Sequence, residues 1–270
     1  MQTYGIDVPL VSKTLLSLDV HAVMVADAFK DCPNLTTLVF LLTHERLKTE
    51  DVSSASIKHL SYHNWGGMKE VSASLFPKVE TYQTKVLTMP FHSMTLKELA
   101  LKSFTLPANS QHPNLKHLSV SLGEGEDLQN FSGNWPTDLE SLKISFGVDD
   151  DRIDEHFEEF LGSMLATQTR LTTLRIDAVL HRPLSSASLT HVSVDGYYTL
   201  DILRQTLANC PKLEVICLGE GRSPIFWDNV AMWQSLKNIK VLAPYRCRKT
   251  MPPSFSEMMV EGRGGYWHRY

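Results

Sequence analysis

"DCPNLTTLVF" at residues 31–40 is written a second time, in the same plan, as "NCPKLEVICL" at residues 209–218. Both carry Cys-Pro, one free position, Leu, and then apolar residues three and five places later. One chain has reason to repeat such a phrase when it repeats a structural unit.

The apolar-x-x-apolar-x-apolar core recurs as "LLSLDV" (15–20), "LTTLVF" (35–40), "IKHLSY" (57–62), "VETYQT" (79–84), "LKELAL" (96–101) and "LKHLSV" (115–120). It continues as "LESLKI" (139–144), "LTTLRI" (171–176), "LTHVSV" (189–194), "LEVICL" (213–218) and "LKNIKV" (236–241). The spacing averages roughly 22 residues, inside the range of leucine-rich repeats. Thr84 alone among the key positions is neither apolar nor tyrosine. The pattern predicts a single right-handed α/β solenoid, a horseshoe of about eleven leucine-rich repeats over residues 1–242, with residues 243–270 as a C-terminal cap or tail. Each phrase is a short strand with its apolar residues turned into the solenoid, and each strand pairs in parallel with the next.

The chain between phrases must return to the starting edge. "HAVMVADAFKD" (21–31) and "TLDILRQTLAN" (199–209) have helical spacing, as does "DDDRIDEHFEEFLGSMLA" (149–166), whose acids suit a helix start. Pro33, Pro77, Pro113 and Pro211 each stand two residues before a first key position, where they end the return limb. Cys32 and Cys210 fit small apolar slots at those turns.

The phrases "CPNLTTLVF", "CPKLEVICL" and "HPNLKHLSV" resemble the cysteine-containing, ribonuclease-inhibitor-like repeats of F-box proteins over about residues 15–242. That resemblance implies a substrate receptor of a ubiquitin ligase. The chain begins almost at the first phrase, so a Skp1-like adaptor is expected only through an F-box absent from it. The family often places Asn or Cys three residues beyond the last strand apolar; here those positions include Val23, Thr43, Trp65, Gly123 and Tyr197, and no asparagine ladder forms.

Composition is that of an ordinary globular chain: 43% hydrophobic, 21% charged, net charge −4 over 270 residues. No basic start precedes an apolar run, and "LTTLVFLLT" is too short to span a bilayer. Four cysteines, Cys32, Cys210, Cys217 and Cys247, make no disulfide framework. A cytoplasmic or nuclear setting with no membrane partner is expected. The sequons at Asn34 and Asn130 read as chance.

Motifs for chemistry are weak. Neither a G-x-S-x-G elbow nor a phosphate loop occurs. "GEGEDL" and "GEGRSP" read as glycine turns after strands. His59 and His63 follow a strand's period rather than a helix's, and the acids from Asp149 to Glu159 lack a calcium-loop frame. One Arg-Gly-Gly near the C-terminus is a faint nucleic-acid signal. The expectation is no enzyme, no metal and no cofactor.

The residues between the strand apolars point outward and form columns across the sheet. The middle of a curved sheet offers several strands at once, so a protein or peptide partner is expected there. The candidate residues are Glu98, Lys102, His117, Lys143, Arg175, Asp177, His191, Asp195 and Tyr197. Arg175 and Tyr197 are the expected anchors. Glu158, on the outer helix, is expected to matter little to partner binding, and the acids of that helix start are expected to be solvated. A free-standing scaffold or effector-like inhibitor is the alternative to a ligase receptor.

Overall fold

The structure, a computed structural model, describes residues 2–6, 10–23, 29, 31–43, 56–62, 77–84, 93–102, 112–122, 136–146, 155–178, 180–194, 199–218 and 240–242. The chain divides into two compact units, Met1–Asp138 and Leu139–Tyr270.

The first unit holds β1 (Gln2–Ile6), β2 (Ser17–Val23), β3 (Thr37–Thr43), β4 (His59–Tyr62), β5 (Thr81–Thr84), β6 (Glu98–Leu101) and β7 (His117–Leu122). Each pairs in parallel with the next in chain order. The middle apolar residues of six phrases stand opposite one another as one row: Leu18, Leu38, Leu60, Tyr82, Leu99 and Leu118. All six are buried. Side chains alternate across a strand with a period of two, so a row of buried residues fixes the register of the whole ladder.

The second unit holds β8 (Ser141–Phe146), α1 (Glu155–Thr167), β9 (Thr173–Asp177), β10 (His191–Val194), α2 (Leu200–Asn209), β11 (Val215–Leu218) and β12 (Lys240–Leu242). Its strands are again parallel and sequential, with Leu142, Leu174, Val192 and Ile216 as the buried row. Parallel strands in chain order, joined by long returns of which two contain described helices, make an α/β repeat fold of the solenoid type.

The helices pack as their periodicity requires. α1 buries Phe157, Leu161, Met164 and Leu165. Phe157 meets Phe146 of β8 edge to face, with ring centroids 5.2 Å apart. α2 opens on Thr199, whose hydroxyl accepts from the Ile202 N–H at 3.3 Å, and ends where Cys210 N–H donates to Thr206 O.

Four details depart from the sequence expectations. β1 is an extra strand, set on the outer edge of β2 with Gln2 opposite Asp19. His21–Val23 prolong β2 instead of starting a helix; only Phe29 and Asp31 of the rest of that stretch are described. β12 enters the ladder two residues late, with Val241 rather than Ile239 opposite Ile216. A two-residue slip preserves which side chains face which way. Glu158 is buried rather than solvated at the helix start. Residues 243–270, including the expected cap, lie outside the described residues.

Candidate recognition surface

The turn that leads into each strand sets where the outward side chains stand. In "CPNL" the Leu35 N–H donates to Cys32 O at 3.1 Å, closing a four-residue turn with proline in its second place. Leu115 does the same to His112 in "HPNL", and Leu213 to Cys210 in "CPKL". The first turn residue is buried in all three, as Cys32, His112 and Cys210. Serine serves elsewhere: Ser12, Ser93 and Ser186 accept through their hydroxyls from the N–H groups of Leu15, Leu96 and Leu189.

Each turn is tied to the coil before it. The Cys32 thiol donates to Leu10 O at 3.5 Å and the Cys210 thiol to Leu184 O at 3.7 Å. Asn34 donates to Lys13 O and Asn114 to Met94 O, at 2.5 and 2.6 Å. Burial pushes both the Cys32 and Cys210 thiols up from their ordinary pKa. The Cys-Pro phrase is therefore a turn whose sulfur bonds backward.

Past the turn the ladder starts the same way in coil after coil. Two consecutive N–H groups share one carbonyl of the preceding coil, as Lys58 and His59 share Thr36 O, and Thr190 and His191 share Thr172 O. Alternation then puts every second side chain on the open side of the strand.

On the first unit Glu98 and His117 are register partners on β6 and β7, and both are exposed. Lys102 follows β6 and is exposed too. His59 of β4 bonds through Nδ1 with the hydroxyl of Thr81 on β5, in the same column as Glu98 and His117. On the second unit Lys143 of β8 stands opposite Arg175 of β9. Arg175 Nε lies 2.9 Å from Asp177 Oδ1, a half-buried ion pair between residues on one face of one strand. His191 of β10 is exposed and bonds with the neighbouring Thr190 hydroxyl at 2.8 Å. The structure thus groups Glu98, Lys102 and His117 on one unit and Lys143, Arg175, Asp177 and His191 on the other. Asp195 and Tyr197 lie outside the described residues.

A further set of charged residues stands at the place just before β4 to β7, outside the residues expected from the sequence. In the first unit this place holds Lys58, Glu80, Lys97 and Lys116. Glu80 takes Lys58 at 3.0 Å on one side and Lys97 at 2.8 Å on the other. Hydrogen bonds from Lys97 and then Lys58 hold its carboxyl down at about 2. The signal was present as the second residue of each phrase, but that place was counted neither as core nor as open face.

Among the described residues no group of three or more His, Cys, Asp or Glu could hold a metal ion. No described helix is long and apolar enough to cross a membrane. No family model matches this chain. No curated protein matches it either.

Proposed function

We propose that the chain is a non-catalytic recognition module that binds a protein or peptide partner on the open face of its sheet. The observation that carries this is the alternation of the strands: buried apolar residues turn one way, and rows of polar side chains of both signs turn the other. Such a row is fixed in place by the ladder, and solenoids bind on surfaces of this kind. Arg175, held by Asp177, is the anchor, with Lys143 and His191 on the flanking strands; Glu98, Lys102 and His117 are the contacts on the first unit, and Asp195 and Tyr197 are contacts expected from the sequence alone.

The finer reading is a leucine-rich-repeat horseshoe of about eleven coils, in the cytoplasm or nucleus. The likeness of its Cys-Pro phrases to F-box proteins favours the substrate receptor of a ubiquitin ligase. Co-purification of the full-length gene product with a Skp1-like adaptor tests that; its absence leaves the free-standing scaffold or inhibitor.

The test of the face is site-specific. A photo-crosslinking side chain is placed at His117 or Ser193 on the face, or at Ser163 on the exposed side of α1. The partner captured is purified and titrated. Arg175→Glu and Lys143→Glu should each weaken it by more than about 1 kcal/mol, roughly fivefold. Crosslinking from Ser163 alone, with both variants binding normally, would move the working surface to the helical side.

A further inference from the structure

On β8 and β9 the open face brings two cations and one acid together. Lys143 stands opposite Arg175, and Ser145 opposite Asp177. The Asp177 carboxylate is taken by Arg175. Lys143 stands beside that ion pair without being part of it, and its ammonium meets no carboxylate among the described residues.

That lysine also differs from the others in burial. Lys13, Lys58, Lys78, Lys97, Lys102 and Lys212 are exposed, whereas Lys143 is half-buried. Lys116 is half-buried as well, but it is engaged. Taking a charged group out of water costs free energy unless an opposite charge or hydrogen bonds compensate it. A lysine stem can pack on apolar surface with its head in water, so burial by itself names no ligand; the neighbouring groups do. Ser141 and Thr173 lie two residues earlier in the same register, on the same face, and are half-buried. A group with two oxygens can place one on the Lys143 ammonium and take a hydroxyl on the other.

Charge decides which group that is. Lys143, Arg175 and Asp177 together leave one positive charge, and a carboxylate cancels it. A phosphorylated side chain carries about −1.5 to −2 at pH 7 and would leave negative charge standing against Asp177. We propose that Lys143 docks an Asp or Glu side chain of a protein partner, with the hydroxyls of Ser141 and Thr173 completing the site. This rests on the reading of the chain as a recognition module and names the chemistry of one contact on its open face. Both strands are held in the ladder, so the groups stand in place before the carboxylate arrives, which lowers the ordering cost of binding.

The probe is N-acetyl-aspartate N-methylamide, run beside its asparagine counterpart and inorganic phosphate. The lysines of the full chain are converted to isotope-labelled dimethyl-lysines, which keep their charge, and NMR follows each methyl signal. Lys143→Met identifies the signal of interest by its loss. At a constant ionic strength of about 100 mM, the aspartate probe should shift the Lys143 signal saturably. Its affinity there should exceed that at the exposed Lys78 and Lys212 at least about fivefold, since the attraction strengthens as water is excluded. The asparagine counterpart should leave the signal in place. Phosphate should bind no more tightly than the aspartate probe, and Asp177→Asn, which removes the local acid, should reverse that order. A Lys143 signal that moves like those of Lys78 and Lys212, or phosphate binding more tightly with Asp177 in place, overturns the proposal. Neither result touches the open-face reading, which stands or falls on the crosslinks from His117 and Ser193.

Discussion

Glu158 caps a loop from inside a helix: its buried Oε1 accepts the backbone N–H of Arg182 at 3.2 Å. The same oxygen accepts from the His181 N–H, and the Arg182 guanidinium reaches back over the first turns of α1, 3.2 Å from Glu159 Oε1. One carboxylate thus fastens α1 to the return that follows β9.

Glu158→Ala should leave these N–H groups without their acceptor and destabilise the protein by about 1–3 kcal/mol. Glu158→Gln keeps an acceptor and should cost less. Ser163→Ala, on the exposed side of the same helix, should stay within about 0.5 kcal/mol. Urea unfolding of the three variants distinguishes them; equal midpoints for Glu158→Ala and Ser163→Ala would show the clasp to be idle.

Cys32 and Cys210 should resist alkylation in the folded protein. Burial raises both pKa values, and the thiolate is the reactive form. Among the described cysteines, Cys217, half buried on the open face, should react first. Mass spectrometry after a short iodoacetamide pulse at pH 8 reads the order. The same shift has a consequence for stability. As the unfolded thiols deprotonate above about pH 8.5, the folded ones keep their protons, so their contribution is full below that pH and is lost as pH rises further.

The Glu80 carboxyl should titrate near pH 2, well below that of an ordinary glutamate. Since its folded pKa is depressed, the ion pairs are intact above the unfolded value and are lost as pH falls toward the folded one. Carboxyl carbon shifts followed by NMR give the midpoint directly. Lys97→Met should move it up, because Lys97 is the largest cause of the depression. A midpoint near 4.5 in the unmodified protein would mean the two lysines do not hold the carboxylate in solution.

Asn34→Ala and Asn114→Ala each delete a bond from a turn to the coil before it, and each should cost about 0.5–1.5 kcal/mol. Chemical denaturation measures this. Asn34 is also the acceptor of a sequon, and its engaged amide is a physical reason for reading that sequon as chance.

The row from Leu18 to Leu118 was legible because a strand's two-residue period and a solenoid's repeat both act on apolar residues, which the eye can count. β1 was not, since Gln2–Ile6 carries no copy of the phrase and pairs out of step with it. β12 was misplaced by two residues because "LKNIKVL" offers apolar residues for either register. Glu158 was misjudged for a different reason: acids at a helix start read as solvated, and the loop that buries this one lies 23 residues onward. Among the candidate contacts, Arg175 and Lys143 were placed on one face by parity alone, whereas the Arg175–Asp177 pairing needed coordinates. The lysine line was in plain view, at a place in the phrase that neither core nor open-face reasoning uses.

The backward bonds of the turns have a reach of one coil. Cys32 answers to Leu10, Asn114 to Met94, Cys210 to Leu184, and none of these ties skips a neighbour. Damage in such a chain stays where it falls. Excising Ser93–Gln111, one whole period, would bring His112 to the place Ser93 had filled, with a new Pro77-side neighbour and the same carbonyls to meet. The first unit's ladder would come out one strand shorter but still continuous, as a row of bricks survives the loss of one course.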